Sequence, residues 1–426
     1  MKASDFIRTS MTNYGIYTCE DRAIPHFKDG LKPCVRRILY TYYKHFFGKE
    51  PKVADLAGRC MALHPHGDAS LEGAISLAAR QWAGANNHRL FDPTGAVGTR
   101  SLPEKKAIAA ARYLSVKGSD FLKDIFYDDC SEVWKEIPNY DEKYTEIESF
   151  YPAIPLCLLN GDTGIGYGYS VNILPRKITD LKNVIESIID KKNVDKNIQP
   201  HWRGFTGRVS QEDYNKWVTY GVVKEEKIVK KKRFVISDIP IDMSKGYVMD
   251  RLINLDIDFN DECDDNFRIV CNVKSISDIP EFKLSQNESI RVIDNDKGMV
   301  SYHSVYDYLV DFVGWRLSVY ERSRQYWISN FRDKIHEYNS KLWAIRNNLF
   351  GMVINQPAEI IIGILKANNL HKSVLNISIS EVSENNIRVL EKNLSDKQKE
   401  LEKFLSTTKE KMYKDKLDDI CKKHGY

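Results

Sequence analysis

The sequence predicts an α+β fold of several domains, with a winged-helix (helix-turn-helix) domain, a sheet domain and a long antiparallel coiled coil. Three observations predict it. Helical patterns punctuated by glycine fill residues 1–135, strand-like segments dominate 136–305, and heptad-like repeats run through 306–426. A chain of 426 residues with 42% hydrophobic residues can form two or three cores, and its composition is not that of a disordered protein.

Two amphipathic helices with a shorter one between them are predicted in the first segment. "KPCVRRILYTYYKHF" places Ile38, Leu39 and Tyr42 on one face, and Arg36 and Arg37 largely off it. "KVADLAGRCMA" is the shorter helix, and "DASLEGAISLAARQW" has apolar residues at helical spacing. The glycine-marked "DPTGAVGTRS" then predicts a wing. Such a helix-turn-helix unit has a shape that docks onto DNA.

The middle segment predicts an α+β domain with a mostly antiparallel sheet. Runs such as "KRFVISDIPI", "FRIVCNVK" and "ESIRVID" are typical of strands bounded by turn residues. The acidic stretch "DIDFNDECDDN" (256–266) lacks the glycine and the terminal glutamate of an EF-hand. It therefore predicts a solvated loop rather than a metal site.

The last segment predicts two long antiparallel helices with a globular tip. Its heptad-like seam consists of Leu390, Leu394, Leu401, Leu405 and Met412. The shorter helical region "QPAEIIIGILKANNL" separates this seam from the earlier long helix. Because long arms bury little apolar surface on their own, we expect self-association.

Positive charge is concentrated in residues 22–117, which carry 16 Lys and Arg against 7 Asp and Glu in a chain of net charge +4. This predicts a phosphate-backbone surface, although a solvated surface of mixed charge would give the same count. The eight cysteines are scattered, the N-terminus is polar, and no apolar run approaches membrane length. We therefore expect a soluble, cytoplasmic protein without a membrane segment.

The motifs of several common active sites are absent from the sequence. It shows no Ser-His-Asp arrangement, no GxGxxG before a helix and no P-loop, so no nucleotide-hydrolysis site is expected in this chain. No carboxylate cluster resembles a two-metal site, and no metal site is predicted either.

The stretch "AIAAARYLSVKG" (107–118) places Tyr113 directly after Arg112 within the basic segment. A phenolate can attack phosphorus and later leave again, since a phosphotyrosine ester conserves the energy of the broken bond. The planar fork of an arginine suits the charge that develops on phosphate oxygens. His64 and His66 in "LHPHGD" are candidates to help remove the tyrosine proton. The alternatives are a packing role for Tyr113 and turn-capping roles for the histidines.

Arg22, "DGLKPCVRR", "HPHGD" and "ARY", in this order and at about these separations, resemble the breakage-reunion subunit of type IIA DNA topoisomerases. That family includes the C-terminal half of eukaryotic topoisomerase II as well as the gyrase A subunit. "SFYPAIPLCLLNGDTGIGYGYSVNILPRKI" is similar to the family segment after the winged helix. The match is specific over roughly residues 10–180 and continues only as architecture, a tower domain (136–305) and then a coiled coil.

The resemblance implies a role for each matching residue. Tyr113 matches the nucleophile that becomes linked to a DNA 5′ phosphate, and Arg112 matches the arginine that holds the scissile phosphate. Ile173 in "VNILP" falls on the isoleucine that wedges between base pairs, with a core strand residue as the alternative. The remaining catalytic positions are Arg22, His64 and His66, and the remaining DNA-binding positions are Asp29, Lys32, Arg36, Arg37 and Arg100.

The family further implies a homodimer that forms a DNA gate and closes a lower exit, the C-gate, through its coiled-coil arms. ATPase and EGDSA-type metal-binding sequences are missing, so Mg²⁺ and ATP would be bound by separate ATPase/TOPRIM large subunits. The organisation is most similar to the medium subunit of tailed-phage topoisomerases, which would act in the host cytoplasm. Without a DNA-wrapping domain, relaxation and decatenation are expected rather than supercoiling. Lys28 and Val35 depart from the family pattern and affect only the phosphate grip.

Two other classes of protein remain as alternatives. The first is a winged-helix protein that binds and bends DNA without cutting it. The second is a tyrosine recombinase or nuclease that works alone. The latter needs an Arg-x-x-Arg or His-x-x-Arg box, or metal carboxylates of its own, and neither is found in the sequence.

Overall fold

The computed structural model describes residues 3–102, 108–128, 130–228, 231–264, 266–353, 356–378 and 382–425. The chain forms two compact units, Met1–Arg316 with Lys416–Tyr426, and Leu317–Asp415. The first unit mixes helices and sheets and the second is helical, which confirms the predicted α+β class. The predicted borders at 135 and 305 stay a prediction. No helix of the described residues is both long and apolar enough to cross a membrane.

The first part of the larger unit is helical and carries a two-stranded wing. Its elements are α1 (Ala3–Thr18), a π-helical turn (Cys19–Ala23), α2 (Pro33–Phe46), α3 (Val53–Cys60), α4 (Asp68–Ala78), β1 (Phe91–Thr94) and β2 (Ser115–Gly118). Proline at the first position of α2 suits a helix start, where a backbone N–H has no helical partner. The antiparallel pairing of β1 with β2 supplies the predicted wing.

Helix α2 is buried almost all round rather than along one face. Arg36 and Arg37 are buried together with the apolar residues that follow them, up to Tyr42. The prediction that these arginines lie off the buried face is wrong. Each is accompanied into the interior by a carboxylate, Asp29 for Arg36 and Glu146 for Arg37.

A series of short elements follows the wing. They are α5 (Asp120–Leu122) with a π-helical turn (Lys123–Tyr127), a 3-10 turn (Ser131–Val133), β3 (Glu136–Pro138), β4 (Thr145–Ile147), α6 (Leu156–Asn160), β5 (Asp162–Ile165), β6 (Ser170–Ile173) and α7 (Ile178–Ile189). Strands β5 and β6 form an antiparallel hairpin, here called the wedge hairpin. Asn172 at its base exchanges two backbone hydrogen bonds with Ser289, which ties the hairpin to the following sheet region.

The rest of the larger unit contains the predicted antiparallel sheets. Its elements are β7 (Val209–Asp213), β8 (Lys216–Tyr220), β9 (Val222–Ile228), β10 (Lys231–Asp238), α8 (Lys245–Asn254), β11 (Phe259–Asp261), β12 (Ile269–Cys271), a 3-10 turn (Ile276–Asp278), β13 (Lys283–Asn287), β14 (Ile290–Asp294) and β15 (Gly298–Tyr302). The strand orders are β11-β12-β10-β9 and β13-β8-β7, with β14-β15 as a separate hairpin. Phe234 and Ile236 of β10 pack with Val248 and Leu252 of α8 in a common core.

The smaller unit contains most of the long helices. The C-terminal elements are α9 (Val305–Arg346), α10 (Leu349–Val353), α11 (Ala358–Ala367), a 3-10 turn (Lys372–Asn376), α12 (Glu384–Ser406) and α13 (Lys409–His424). Helices α9 and α12 run antiparallel, because the ring of Phe331 meets that of Phe404 edge-on while Arg346, further along α9, pairs with Glu391 near the start of α12. Leu365 and residues around it form a small core at the tip. Most of the predicted seam on α12 is only partly buried.

Candidate functional site

Tyr113 is exposed in the turn that leads into β2. Its side chain is 66% exposed, and the guanidinium carbon of Arg112 lies 4.9 Å from the centre of its ring. The turn is anchored on both sides, since Tyr113 N–H donates to Ala110 O at 2.7 Å and Leu114 O accepts from Val53 N–H at 2.9 Å. An exposed phenol held beside an arginine does not fit a packing role. It is available to a ligand.

A second group of polar side chains surrounds His66. Its Nε2 lies 2.9 Å from the Tyr17 hydroxyl, and its Nδ1 lies 3.3 Å from Arg22 Nη2. The Arg22 guanidinium stacks over the Tyr17 ring at 5.4 Å, and a carboxylate oxygen of Asp21 is 3.6 Å from His66 Nε2. We call Tyr17, Asp21, Arg22, His64 and His66 the His66 cluster. It combines three of the residues that the family resemblance singled out.

His64 is the buried member of the cluster. Its ring meets that of His66 edge-on at 4.8 Å, and its Nδ1 lies 3.3 Å from Arg37 Nη1. Desolvation by burial, together with the positive charge of Arg37, lowers the pKa of His64 to about 4. At neutral pH His64 is therefore uncharged. It is better suited to holding Arg37 and His66 in place than to donating a proton.

The two groups of predicted catalytic residues do not meet. Within the described part of the chain, no hydrogen bond or ring contact joins Tyr113 to His64, His66 or Arg22. Arg112 and Tyr113 thus form one half of the candidate site, and the His66 cluster forms the other.

Asp29 and Arg36 do not form a DNA-binding surface. Asp29 is completely buried and accepts hydrogen bonds from Arg36 Nε at 2.6 Å and Nη2 at 2.9 Å, and from the N–H of Leu31. A carboxylate and a guanidinium that satisfy each other in the interior cannot contact a backbone phosphate. The DNA-binding role predicted for these two residues is corrected to a structural ion pair.

Three further predicted DNA-binding side chains are also engaged within the protein. Arg37 makes two hydrogen bonds to Glu146, at 2.7 and 3.1 Å. Lys32 Nζ lies 2.9 Å from a carboxylate oxygen of Asp162 and donates to Thr163 O at 2.7 Å.

Arg100 is the third of them. It pairs with Asp238 and donates to Ile239 O, so it links the segment between the two wing strands to the end of β10. The contacts of Arg37, Lys32 and Arg100 join segments of the protein that are distant in sequence. Sequence analysis could not show them, because the partners lie far along the chain.

The wedge hairpin exposes a different isoleucine from the one predicted. Ile173 is 1% exposed, opposite Asp162 at the base of the hairpin, whereas Ile165 at its tip is 87% exposed. A buried side chain cannot enter a base step unless the hairpin opens, so the prediction for Ile173 is wrong and its alternative, a core strand residue, holds. The signal for Ile165 was available in "TGIGYG", where glycines surround a lone isoleucine at a turn.

The hairpin sits directly on α1 and its π-helical extension. A Cβ atom added at Gly164 would collide with the carbonyl oxygen of Ala23, and one at Gly166 would lie 2.7 Å from Cys19 Sγ. On the helix side, a Cβ at Gly15 would lie 2.9 Å from the Tyr167 ring. The hairpin therefore packs against the segment that carries Arg22 with no space for side chains.

The described residues contain no group of three or more histidine, cysteine or acidic side chains that could hold a metal ion. The acidic stretch 256–266, part of which lies outside the described residues, forms β11 and a loop and contributes no such group.

Comparison with known proteins identifies the family. The family model that describes the A subunits of DNA gyrase and topoisomerase IV matches residues 22–421. The chain belongs to this family. The resemblance to type IIA breakage-reunion subunits is confirmed, while special closeness to a phage protein stays a prediction. The crystal structure of the Plasmodium falciparum topoisomerase II DNA-binding, cleavage and re-ligation domain has the same fold, with a TM-score of 0.83 at 23% identity, over 99% of this chain and 64% of that one.

Curated relatives are much longer than this chain. DNA topoisomerase 2 of Penicillium chrysogenum is 25% identical over 94% of this chain and 28% of its own length. The Saccharomyces cerevisiae enzyme is 28% identical over 80% of this chain and 25% of its own length. The chain thus spans about a quarter of the length of these two relatives.

Proposed function

We propose that this chain is the DNA cleavage-religation subunit of an ATP-dependent type IIA DNA topoisomerase, an isomerase that relaxes and decatenates DNA. One observation carries the proposal, the exposed Tyr113 with Arg112 stacked on its ring. This pair lies inside the segment that matches the gyrase and topoisomerase IV family. A protein that only bends DNA would not need an exposed phenol beside an arginine.

In the proposed reaction, the Tyr113 oxygen attacks a backbone phosphorus. A bond forms between this oxygen and phosphorus, and the bond from phosphorus to the 3′ oxygen breaks. The phenol proton is released, and the 3′ oxygen takes up a proton as it leaves. Arg112 donates hydrogen bonds to the phosphate as charge builds on its oxygens. Religation is the same step in reverse, since the phosphotyrosine ester keeps the energy of the broken bond.

The His66 cluster serves the same phosphate in the proposed assembly. Arg22 supplies a second positive charge, and His66, which is only partly buried, exchanges a proton with the reacting oxygens. Two copies would associate through the DNA gate and the coiled-coil C-gate and would cut opposite strands, one through each Tyr113. Within this dimer the two half-sites can be completed when DNA is bound.

Ile165 replaces Ile173 as the proposed wedge. An apolar side chain at the tip of a rigid hairpin can enter a base step, where the cost of unstacking is offset by contacts that bent DNA makes with the protein.

Mg²⁺ and ATP belong to partner subunits in this proposal. The described residues contain no group of three or more histidine, cysteine or acidic side chains that could hold a metal ion, and the sequence shows no P-loop. We propose that ATPase/TOPRIM large subunits bind both and that the complex works in the cytoplasm. The metal would assist departure of the 3′ oxygen.

A covalent-adduct trap tests the proposal. The chain would be mixed with its ATPase/TOPRIM partner, Mg²⁺ and end-labelled duplex, and the reaction would be quenched in detergent. We expect label to migrate with this polypeptide, and we expect Tyr113→Phe to abolish the labelled band because phenylalanine has no nucleophilic oxygen.

Tyr140→Phe is the matched control, since Tyr140 is another exposed tyrosine of the same unit and should leave labelling unchanged. Label retained by Tyr113→Phe would assign the chemistry to another residue. Tight DNA binding without any adduct would identify a DNA-bending protein instead.

A further inference from the structure

Arg80, just beyond α4, is a buried arginine without a counter-charge. It is 9% exposed, and its Nε is buried without a hydrogen-bond partner. Within the described part of the chain, no ion pair or hydrogen bond engages its guanidinium group. The group lies over the Trp82 ring, with its central carbon 5.3 Å from the ring centre.

Three other buried arginines of the same unit have carboxylate partners. Arg36 pairs with Asp29, Arg37 with Glu146, and Arg176 binds Glu288 at 2.7 Å. Burial of an unpaired charge is costly, which explains why desolvation lowers the pKa of Arg80. The unpaired guanidinium of Arg80 is therefore free to donate hydrogen bonds to the acceptor atoms of a bound ligand.

Arg80 lines a cavity of about 450 Å³ between the end of α4, the wedge hairpin and the sheet region. The cavity lining includes two carboxylates, and both have partners. Asp162 forms an ion pair with Lys32, and Asp242 accepts a hydrogen bond from the side-chain amide of Gln286. Burial also raises the pKa of Asp242, which weakens its charge. Lys32 is paired with Asp162, so among the described residues that line the cavity the guanidinium of Arg80 is the positive group without a carboxylate partner.

We propose that this cavity binds a phosphate of the DNA backbone through Arg80. A guanidinium held over an indole ring can present its N–H groups in the fork that phosphate oxygens accept. The position fits the DNA path, since Thr163 on the cavity wall is two residues from Ile165, about 7 Å along an extended strand. The assignment rests on the proposed function, because it takes the duplex to be the molecule that Ile165 enters.

The first test measures anion binding without DNA. In a phosphate-free buffer, Arg80→Met should unfold at the same temperature as the wild type or at a higher one, because it removes an uncompensated buried charge. Added inorganic phosphate should raise the unfolding temperature of the wild type and not that of Arg80→Met.

The second test measures binding of a linear duplex at several salt concentrations. Arg80→Met should reduce affinity about tenfold and lower the salt slope by about one, the value for one lost phosphate contact. Arg268→Met is the matched control, since Arg268 is held by Glu226 and Glu262 and should leave the slope unchanged.

The outcomes separate this inference from the proposed function. A lower unfolding temperature for Arg80→Met with an unchanged salt slope would make Arg80 a structural residue and overturn the inference. Stabilisation by phosphate with an unchanged slope would also overturn it, by identifying a site for the free anion. If phosphate binding and the slope both depend on Arg80 while Tyr113 forms no adduct, the backbone site stands and the cleavage function fails.

Discussion

At the scale of single residues, Tyr17 shapes the surroundings of His66. Its hydroxyl is 2.9 Å from His66 Nε2, and its ring lies under the Arg22 guanidinium. Arg22 can only donate to His66 Nδ1, so in the neutral ring Nε2 carries the proton and the Tyr17 oxygen accepts it. Tyr17 also precedes residues 22–421, the part of the chain that the family model covers. We propose that Tyr17, which the sequence analysis did not single out, is a positioning residue of the candidate site.

Tyr17→Phe keeps the ring below Arg22 and removes only the hydroxyl. We expect the rate of adduct formation to fall roughly five- to tenfold, the value of one ordinary hydrogen bond. DNA affinity should stay the same, and the pH at which the rate is half-maximal should move. The rate measured as a function of pH checks this. Tyr14→Phe, an exposed tyrosine one turn earlier on α1, should have no effect. Equal behaviour of the two variants would contradict the positioning role.

At the scale of elements, the wedge hairpin has an exposed tip, which we propose contacts DNA, and a buried base. Ile165→Ala should leave thermal stability unchanged, because this side chain is already exposed in the free protein. It should reduce the bending of a duplex, and adduct formation should fall with it. Energy transfer between dyes at the two DNA ends would measure the bend.

Ile173→Val is the matched comparison on the same hairpin. Removal of one buried methylene group should cost about 1 kcal/mol of stability and leave bending intact. Reduced bending by Ile173→Val, with normal bending by Ile165→Ala, would show that Ile173 is the residue that enters the base step.

The same elements show how far the sequence could predict the molecule. Periodicity located α2, α3, α4 and the strands β10, β12 and β14, because apolar spacing depends on local geometry. It could not show that Arg37 is buried, since its partner Glu146 lies 109 residues further along the chain. The family motif located Tyr113, but its exposure and the unpaired Arg80 follow from tertiary packing alone.

At the scale of the whole molecule, three buried histidines link stability to pH. Desolvation is the main cause that lowers the pKa of His26 and His64 to about 4 and that of His88 to about 3. An unfolded histidine titrates near 6.5, so between this pH and about 4 the unfolded chain binds more protons than the folded one. Asp162 opposes this, because burial raises its pKa to about 6.

The free energy of unfolding should therefore fall as the pH drops from about 6.5 towards 4. With three histidines opposed by one carboxyl group, the slope near pH 5 should be about 3 kcal/mol per pH unit. Urea unfolding at a series of pH values measures it. His26→Gln should lower this slope by the contribution of about one proton. His303→Gln, at an exposed histidine, should leave the slope unchanged. A slope unaffected by His26→Gln would show that His26 is charged in the folded protein.

The close packing of the wedge hairpin against the residues next to Arg22 has a consequence for which DNA sequences the proposed enzyme would cut. Because Gly164 packs against the carbonyl of Ala23, the residue after Arg22, a shift of the hairpin towards this segment would also displace the backbone beside that arginine. Pyrimidine–purine steps such as TA and CA kink at low cost, while stiff A-tracts resist. Cleavage should then favour sites whose central steps are flexible. Preference among sites would arise from the mechanics of the duplex, with no contact to base edges required.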